Sequence, residues 1–275
     1  MSDYNNEMRD WDKNQVFMPE RMNYKPERLD KNYENQSVVF DDFISTVSHE
    51  LRTPLTSIRG FSQTMLNSWD KLDDDSKKKF LKIIEEQSNR LINLVENMLS
   101  VTKLQSTKEH FIYKEVVIKP VVETVISVLK NQYSNRTFLT EINEKTPPIL
   151  ADKDKFQQIL TNLVENAAKY SDDNSTVIIK TGFNENSDFV SIKIINSGIG
   201  IDDEDYEKIF TKFSRIDNPL TRKVEGSGLG LYITKNIVEK MGGKISVNSK
   251  DNITTFEVLM PVSNIEQQAR AKCSQ

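Results

Sequence analysis

Apolar residues recur at threes and fours along the first long stretch: Phe40, Phe43, Ile44, Val47, Leu51, Leu55, Ile58, Phe61 and Met65. That spacing draws one apolar stripe along a helix, and the pattern predicts a helix over Gln36–Asn67. Pro54 falls inside it, where a missing backbone N–H predicts a local bend. A polar turn over Ser68–Asp75 comes next, with Asp74 or Asp75 as the cap of a second helix. The stripe of that helix, Phe80, Ile84, Leu91, Leu94, Val95, Met98 and Leu104, extends it over Ser76–Gln105. Two long helices joined by a short turn make an antiparallel hairpin. One hairpin cannot cover both stripes. A symmetric pair forming a four-helix bundle covers them, and packing on the following domain is the other solution.

Beyond this hairpin the periodicity changes. Thr107–Val117 reads as a linker entering a strand. Pro120–Gln132 and Lys153–Lys169 carry helical patterns, the second on Phe156, Ile159, Leu160, Leu163, Val164 and Ala167. Arg136–Ile142, Ile149–Leu150, Val177–Gly182, Phe189–Ile195, Lys244–Asn248 and Thr254–Met260 read as strands, most of them β-branched and bounded by polar turns. Ile233–Met241 reads as a helix stopped by Gly242-Gly243. The predicted fold is therefore an α helical hairpin, a four-helix bundle as the dimer, followed by an α+β sandwich with helices on one face of a mixed sheet. The expected division is an irregular N-terminal segment over 1–35, the hairpin over 36–106, the second domain over 107–262 and a polar tail over 263–275.

Composition narrows the class. Hydrophobic residues make up 37% of the 275 and charged residues 28%, which suits long exposed helices better than one thick core. The net charge of -4, with both signs interspersed, does not support nucleic-acid binding. The single cysteine, Cys273, rules out an internal disulfide framework and fits a reducing, cytoplasmic setting. No apolar run is long enough to span a bilayer, and no signal or transit pattern opens the chain. A sensor or membrane link upstream stays open. No His and Cys cluster supports zinc, and His110 reads as a surface residue of the linker.

The candidate chemistry begins at Val47-Ser48-His49-Glu50-Leu51-Arg52-Thr53-Pro54-Leu55. His49 falls between apolar positions, so it points off the packed seam toward solvent. Imidazole is the side chain whose neutral, nucleophilic form is well populated near neutral pH. A carboxylate accepting from one ring nitrogen leaves the other free to attack. On its own, such a pair is most simply a surface histidine beside a surface glutamate. Downstream, Asn162 and Asn166 share one helix face, and amide oxygens there can hold a hard cation between protein and phosphates. Asn196-Ser197-Gly198-Ile199-Gly200 leaves a strand, with glycines that let backbone approach a flat ring. Gly226-Ser227-Gly228-Leu229-Gly230 runs into a helix and makes an anion cradle. A dinucleotide-binding reading is disfavoured, because no strand precedes that loop. Between the two loops lies Phe210-Thr211-Lys212-Phe213-Ser214-Arg215, inside a polar insert from Asp202 to Glu225 that reads as a lid.

With these motifs in this order, the chain resembles the transmitter core of a sensor histidine kinase of a two-component system, from about Gln36 to Val262. The resemblance implies a dimerisation and histidine-phosphotransfer hairpin followed by a Bergerat-type ATP-binding domain. It implies His49 as phosphoacceptor, Glu50 as the base that activates it, and Thr53 as the residue that helps place water during dephosphorylation of a receiver. It implies ATP and Mg²⁺ as the bound groups, with Asn166 and Asn162 as the metal ligands. Lys169 would contact phosphate and Tyr170 the adenine. Gly198 and Gly200 would line the base pocket beside Asn196, and Phe210, Phe213 and Arg215 belong to the lid motif. Gly226, Gly228, Leu229 and Gly230 would wrap the phosphates. The implied partners are a second copy of the chain and the receiver domain of a response regulator.

One position departs from the family. Asn196 stands where the family usually has Asp, whose carboxylate accepts a hydrogen bond from the adenine amine. An amide still accepts, without charge assistance. An active kinase with looser nucleotide affinity is the favoured reading, and a pseudokinase acting mainly as a regulator phosphatase is the alternative. A chaperone or DNA-repair ATPase sharing the Bergerat fold is disfavoured by the His49 motif on a hairpin.

Overall fold

The computed structural model describes residues 27–106, 109–183, 188–216 and 226–263, with the backbone alone over 27–43. Helix α1 spans Glu27–Ser68 and runs through Pro54 without a break. Among the described residues it already runs at Glu27, ahead of Gln36. The stretch Glu27–Asn35 carries no apolar period, but its Glu, Arg, Leu and Lys are good helix formers. The rest of the segment expected to be irregular, residues 1–26, lies outside the described residues, as does the tail from 264 onward.

A short 3₁₀ turn, Trp69–Lys71, leads to α2, Asp74–Gln105. Its cap is Asp73, not Asp74 or Asp75. The Asp73 carboxylate accepts from the Ser76 N–H at 2.7 Å, which leaves Asp74 and Asp75 in the first turn, where the helix dipole favours acids. The hairpin is antiparallel. The Phe61 and Phe80 rings lie 5.2 Å apart, and Arg90 reaches Glu50 at 3.7 Å.

The second domain is built on a five-stranded mixed sheet in the order β2-β4-β5-β7-β6. Its strands are β2 (Thr137–Glu141), β4 (Thr176–Phe183), β5 (Phe189–Ser197), β6 (Lys244–Lys250) and β7 (Ile253–Pro261). Strands β2 and β4 run parallel, and the other neighbours are antiparallel. Strand β3 (Ile149–Ala151) does not join this sheet. It pairs instead with β1 (Lys114–Val116), so the linker is tied to the domain it enters. Alternate residues of β4, β5 and β7 are buried, as expected for a sheet covered on one face.

The helices of this domain are α3 (Ile118–Gln132), α4 (Lys153–Tyr170) and α5 (Gly230–Lys240). Phe156, Ile159, Leu160 and Leu163 of α4 are buried to within 1%. Each fully buried side chain of this size contributes about 1.5–3 kcal/mol. Helix α5 ends as anticipated at Gly242-Gly243, whose N–H groups bond to Glu239 O and Val238 O at 3.0 and 2.9 Å. Leu94, Val101 and Leu104 of α2 join this same core, so part of the α2 stripe packs on the following domain. Leu55, Leu66, Leu81, Ile92, Val95 and Leu99 remain exposed along the hairpin. Among the described residues, no helix is long and apolar enough to cross a membrane.

Candidate functional site

Helix α4 turns one side into the sheet and the other, with Asn162, Asn166, Lys169 and Tyr170, toward a cavity of about 770 Å³. Strand β5 delivers Asn196, the turn after it Gly200, and the insert Arg215. Gly226, Gly228 and Gly230 close the far side, at the start of α5. Asn162 Nδ2 donates to Gly230 O and to Thr234 Oγ1, both at 3.3 Å. That pair of bonds ties α4 to the glycine loop and fixes the amide. Asn166 is half-buried. Lys169 Nζ is held by Glu165 Oε1 at 2.9 Å. Burial raises the Tyr170 phenol above its ordinary value, with Arg215 acting weakly the other way, so Tyr170 stays a neutral surface on which a ring can rest.

Gly198, Phe210, Phe213 and Leu229 do not line the cavity but shape it from behind. Gly198 packs its Cα against the end of α4. A Cβ there would lie 2.1 Å from Tyr170 O. Ile199 N donates to that same oxygen at 3.1 Å. Phe210 is buried edge-on against Phe256, ring centroids 6.5 Å apart. Leu229 is fully buried and caps α5. Within the insert, Asp203–Asp205 and Lys208–Phe210 form 3₁₀ turns that bury Ile209 and Phe210. Residues 217–225 lie outside the described residues. Gly228 has φ 67°, and a Cβ there would strike the Phe213 backbone at 2.7 Å. Only glycine fits so close a crossing of the two loops.

The hairpin contributes the opposite wall. Glu50, Arg90, Asn93 and Asn97 line the cavity, and Asn97 Nδ2 donates to Ser227 Oγ of the glycine loop at 3.3 Å. His49 itself is exposed on α1. Thr53, one turn on, shares its face, and its hydroxyl donates to His49 O at 3.3 Å. Glu50 Oε2 lies 3.7 Å from Arg90 Nη2.

Sequence reasoning missed the asparagine row. Asn89, Asn93 and Asn97 recur every four residues and all line the cavity, a spacing that could have been read as one helix face. It also missed Arg136, whose guanidinium bonds Ser171 Oγ and O at 2.9 Å and Ala168 O at 3.3 Å. That contact pins the end of α4, where Lys169 and Tyr170 sit.

Comparison with known proteins decides the family. Residues 41–107 match the family described as His Kinase A (phospho-acceptor) domain, and residues 151–264 match Histidine kinase-, DNA gyrase B-, and HSP90-like ATPase. The chain belongs to the sensor histidine kinases. It is 35% identical over 218 residues to the signal transduction histidine-protein kinase ArlS of Staphylococcus haemolyticus, covering 79% of this chain and 48% of that one. It is 33% identical over 222 residues to the sensor histidine kinase WalK of Bacillus subtilis, covering 78% and 36%. The kinase chain thus spans about half or less of these curated relatives. Its structure is similar to histidine kinase ThkA, solved in complex with response regulator protein TrrA, at TM-score 0.66 and 28% identity, covering 90% of this chain and 68% of that one. It shares its fold with Acinetobacter baumannii histidine kinase AdeS at TM-score 0.62 and 24% identity, covering 78% and 98%.

Proposed function

We propose that this kinase chain binds ATP in the cavity, transfers the terminal phosphoryl group to His49, and passes it to an aspartate on the receiver domain of a response regulator. The observation that carries the proposal is the shared cavity. Its walls are the α4 amides, Asn196 and the glycine loop on one side, and Glu50, Arg90, Asn93 and Asn97 of the hairpin on the other. A nucleotide held there has its phosphates beside the helix that bears the acceptor.

The residues divide the work by their chemistry. Tyr170, Ile199 and Gly200 offer a flat apolar seat for a base, backed by Gly198. The glycine loop and the N-terminus of α5 present backbone N–H groups to anionic oxygens. Asn166 and the Oδ1 of Asn162 would hold Mg²⁺, which would neutralise phosphate charge. Uncharged oxygen donors suit that ion, and the Asn162 Nδ2 bonds leave its oxygen available. Lys169 must leave Glu165 to reach a phosphate, and Glu50 must leave Arg90 to act on His49. Each of these side chains keeps 24–31% of its surface exposed, so solvent reaches and screens both pairs. Catalysis is then mostly positioning and electrostatics.

The exposed apolar row on the hairpin supports a homodimer joined as a four-helix bundle. The ThkA complex with a response regulator supports the partner class. A reaction fed by ATP suits a chain in the cytoplasm. In the test, the pure chain is incubated with γ-labelled ATP and Mg²⁺. Acid-labile label should appear on the wild type and vanish in His49→Gln; label that persists in the variant would move the acceptor elsewhere. A second activity, dephosphorylation of the regulator, is favoured by Thr53 one turn from His49 on the same face. A chain that takes no label from ATP yet removes phosphate from a phosphorylated receiver would make that activity the principal one.

A further inference from the structure

Asn196 ends a stripe of buried β5 side chains, Val190, Ile192 and Ile194, and is itself 3% exposed. Its Nδ2 has no hydrogen-bond partner among the described residues, yet the residue lines the cavity. A buried donor left unmade is costly, and a bound ligand can remove that penalty. The residue paired with it across the sheet, Thr254, is equally buried. The Thr254 hydroxyl meets Ser249 Oγ at 3.0 Å, and either oxygen can be the donor. Strands β5 and β7 bring no charged side chain to the cavity, only Asn196, Thr254 and Phe256. This floor therefore has no fixed donor or acceptor sense.

Resting on the nucleotide reading above, we propose that Asn196 reads the Watson–Crick edge of either purine, so that the chain binds GTP about as well as ATP. A carboxamide sets an acceptor beside a donor. Facing adenine, Oδ1 accepts from the 6-amino group and Nδ2 donates to N1. Turned over, Nδ2 donates to the 6-oxo group of guanine and Oδ1 accepts from its N1–H. A carboxylate at the same place is acceptor-only. It takes the 6-amino group of adenine but sets negative charge against the 6-oxo oxygen of guanine. Mismatched buried polar groups reject a ligand strongly, by up to about 10⁴–10⁵. The amide removes that rejection without giving up the adenine pairing.

The test is calorimetric titration of the full chain, with Mg²⁺, against ATP and against GTP, for the wild type and Asn196→Asp. The wild-type dissociation constants should agree within about tenfold, and the variant should prefer ATP by roughly a hundredfold or more. A wild type that binds ATP and refuses GTP overturns the inference while leaving the nucleotide reading intact, and so does a ratio unmoved in Asn196→Asp. A folded wild type that binds neither nucleotide overturns both. Should the variant fail to fold, as judged by its thermal melt, the wild-type ratio alone decides.

Discussion

Replacing Gly198 by Ala tests whether the base pocket depends on a backbone contact. The added Cβ would lie 2.1 Å from Tyr170 O, 2.7 Å from Ser171 Cα and 3.0 Å from Tyr170 C. All three are backbone atoms, so no rotamer change relieves the overlap. Both sides are also anchored. Gly198 N donates to Asn252 O at 2.9 Å, and Ile199 N donates to Tyr170 O at 3.1 Å. Arg136 holds Ser171 O at 2.9 Å. Overpacking of a tight site costs roughly 1–3 kcal/mol, and each backbone bond lost adds about 1 kcal/mol. The expected destabilisation is about 3–5 kcal/mol. At roughly 2–4 °C per kcal/mol for a domain of this size, melting falls by on the order of 10 °C. Because Tyr170 must shift, ATP affinity falls as well in whatever fraction stays folded. Circular dichroism melts give the first quantity and titration with ATP the second. Gly60→Ala is the control: a Cβ there meets nothing within 4 Å, inside α1, and the change should stabilise by about 1 kcal/mol. If Gly198→Ala moves stability by no more than the roughly 0.5 kcal/mol of an ordinary surface change, the close-contact account is wrong.

Arg136→Ala should cost about 2–3 kcal/mol from its charge-assisted bonds to buried acceptors, with little from the ion pair to exposed Asp173; a melt unchanged from wild type would refute the latch on α4. Thr53→Ala should slow dephosphorylation of a receiver while leaving label uptake by His49, and an equal loss of both would assign Thr53 to structure instead. Asp73 is held below its ordinary value of 3.8, first by the Ser76 N–H and then by its hydroxyl. Its contribution to α2 is therefore present above 3.8 and fades as pH falls through the lower folded value. Asp73→Asn keeps an acceptor and should lack that part of the acid limb; identical acid profiles of helicity would sink the cap assignment.

The range of each interaction explains why some of this was legible in the sequence and some not. The hairpin was legible because burial on one side imposes a period, and period needs only local sequence. Its continuation back through Glu27–Asn35 was not, since a polar helical extension leaves no period to read. The glycine turns and the α4 amides announced themselves because close backbone approach and a shared helix face demand particular residue types at fixed spacing. Arg136 did not. Its function comes from meeting the end of α4, thirty-odd residues on, through contacts that no spacing encodes. Asp73 was missed for a subtler reason: three adjacent aspartates are equivalent in composition, and only the backbone geometry selects one.

Asn196 shows the limit most clearly. By type it is a weaker stand-in for an acid, and a sequence can say only that an adenine bond loses its charge. The structure adds that the amide is buried, that its nitrogen has no partner among the described residues, and that strands β5 and β7 bring no charge beside it. Those three facts together change the question from how tightly the pocket holds adenine to whether it distinguishes adenine at all. A loss of affinity alone would lower binding of every nucleotide in proportion, whereas a reversible donor and acceptor pair alters the ratio between two purines. The ratio therefore separates a weakened site from a broadened one, and the affinity for ATP taken alone cannot.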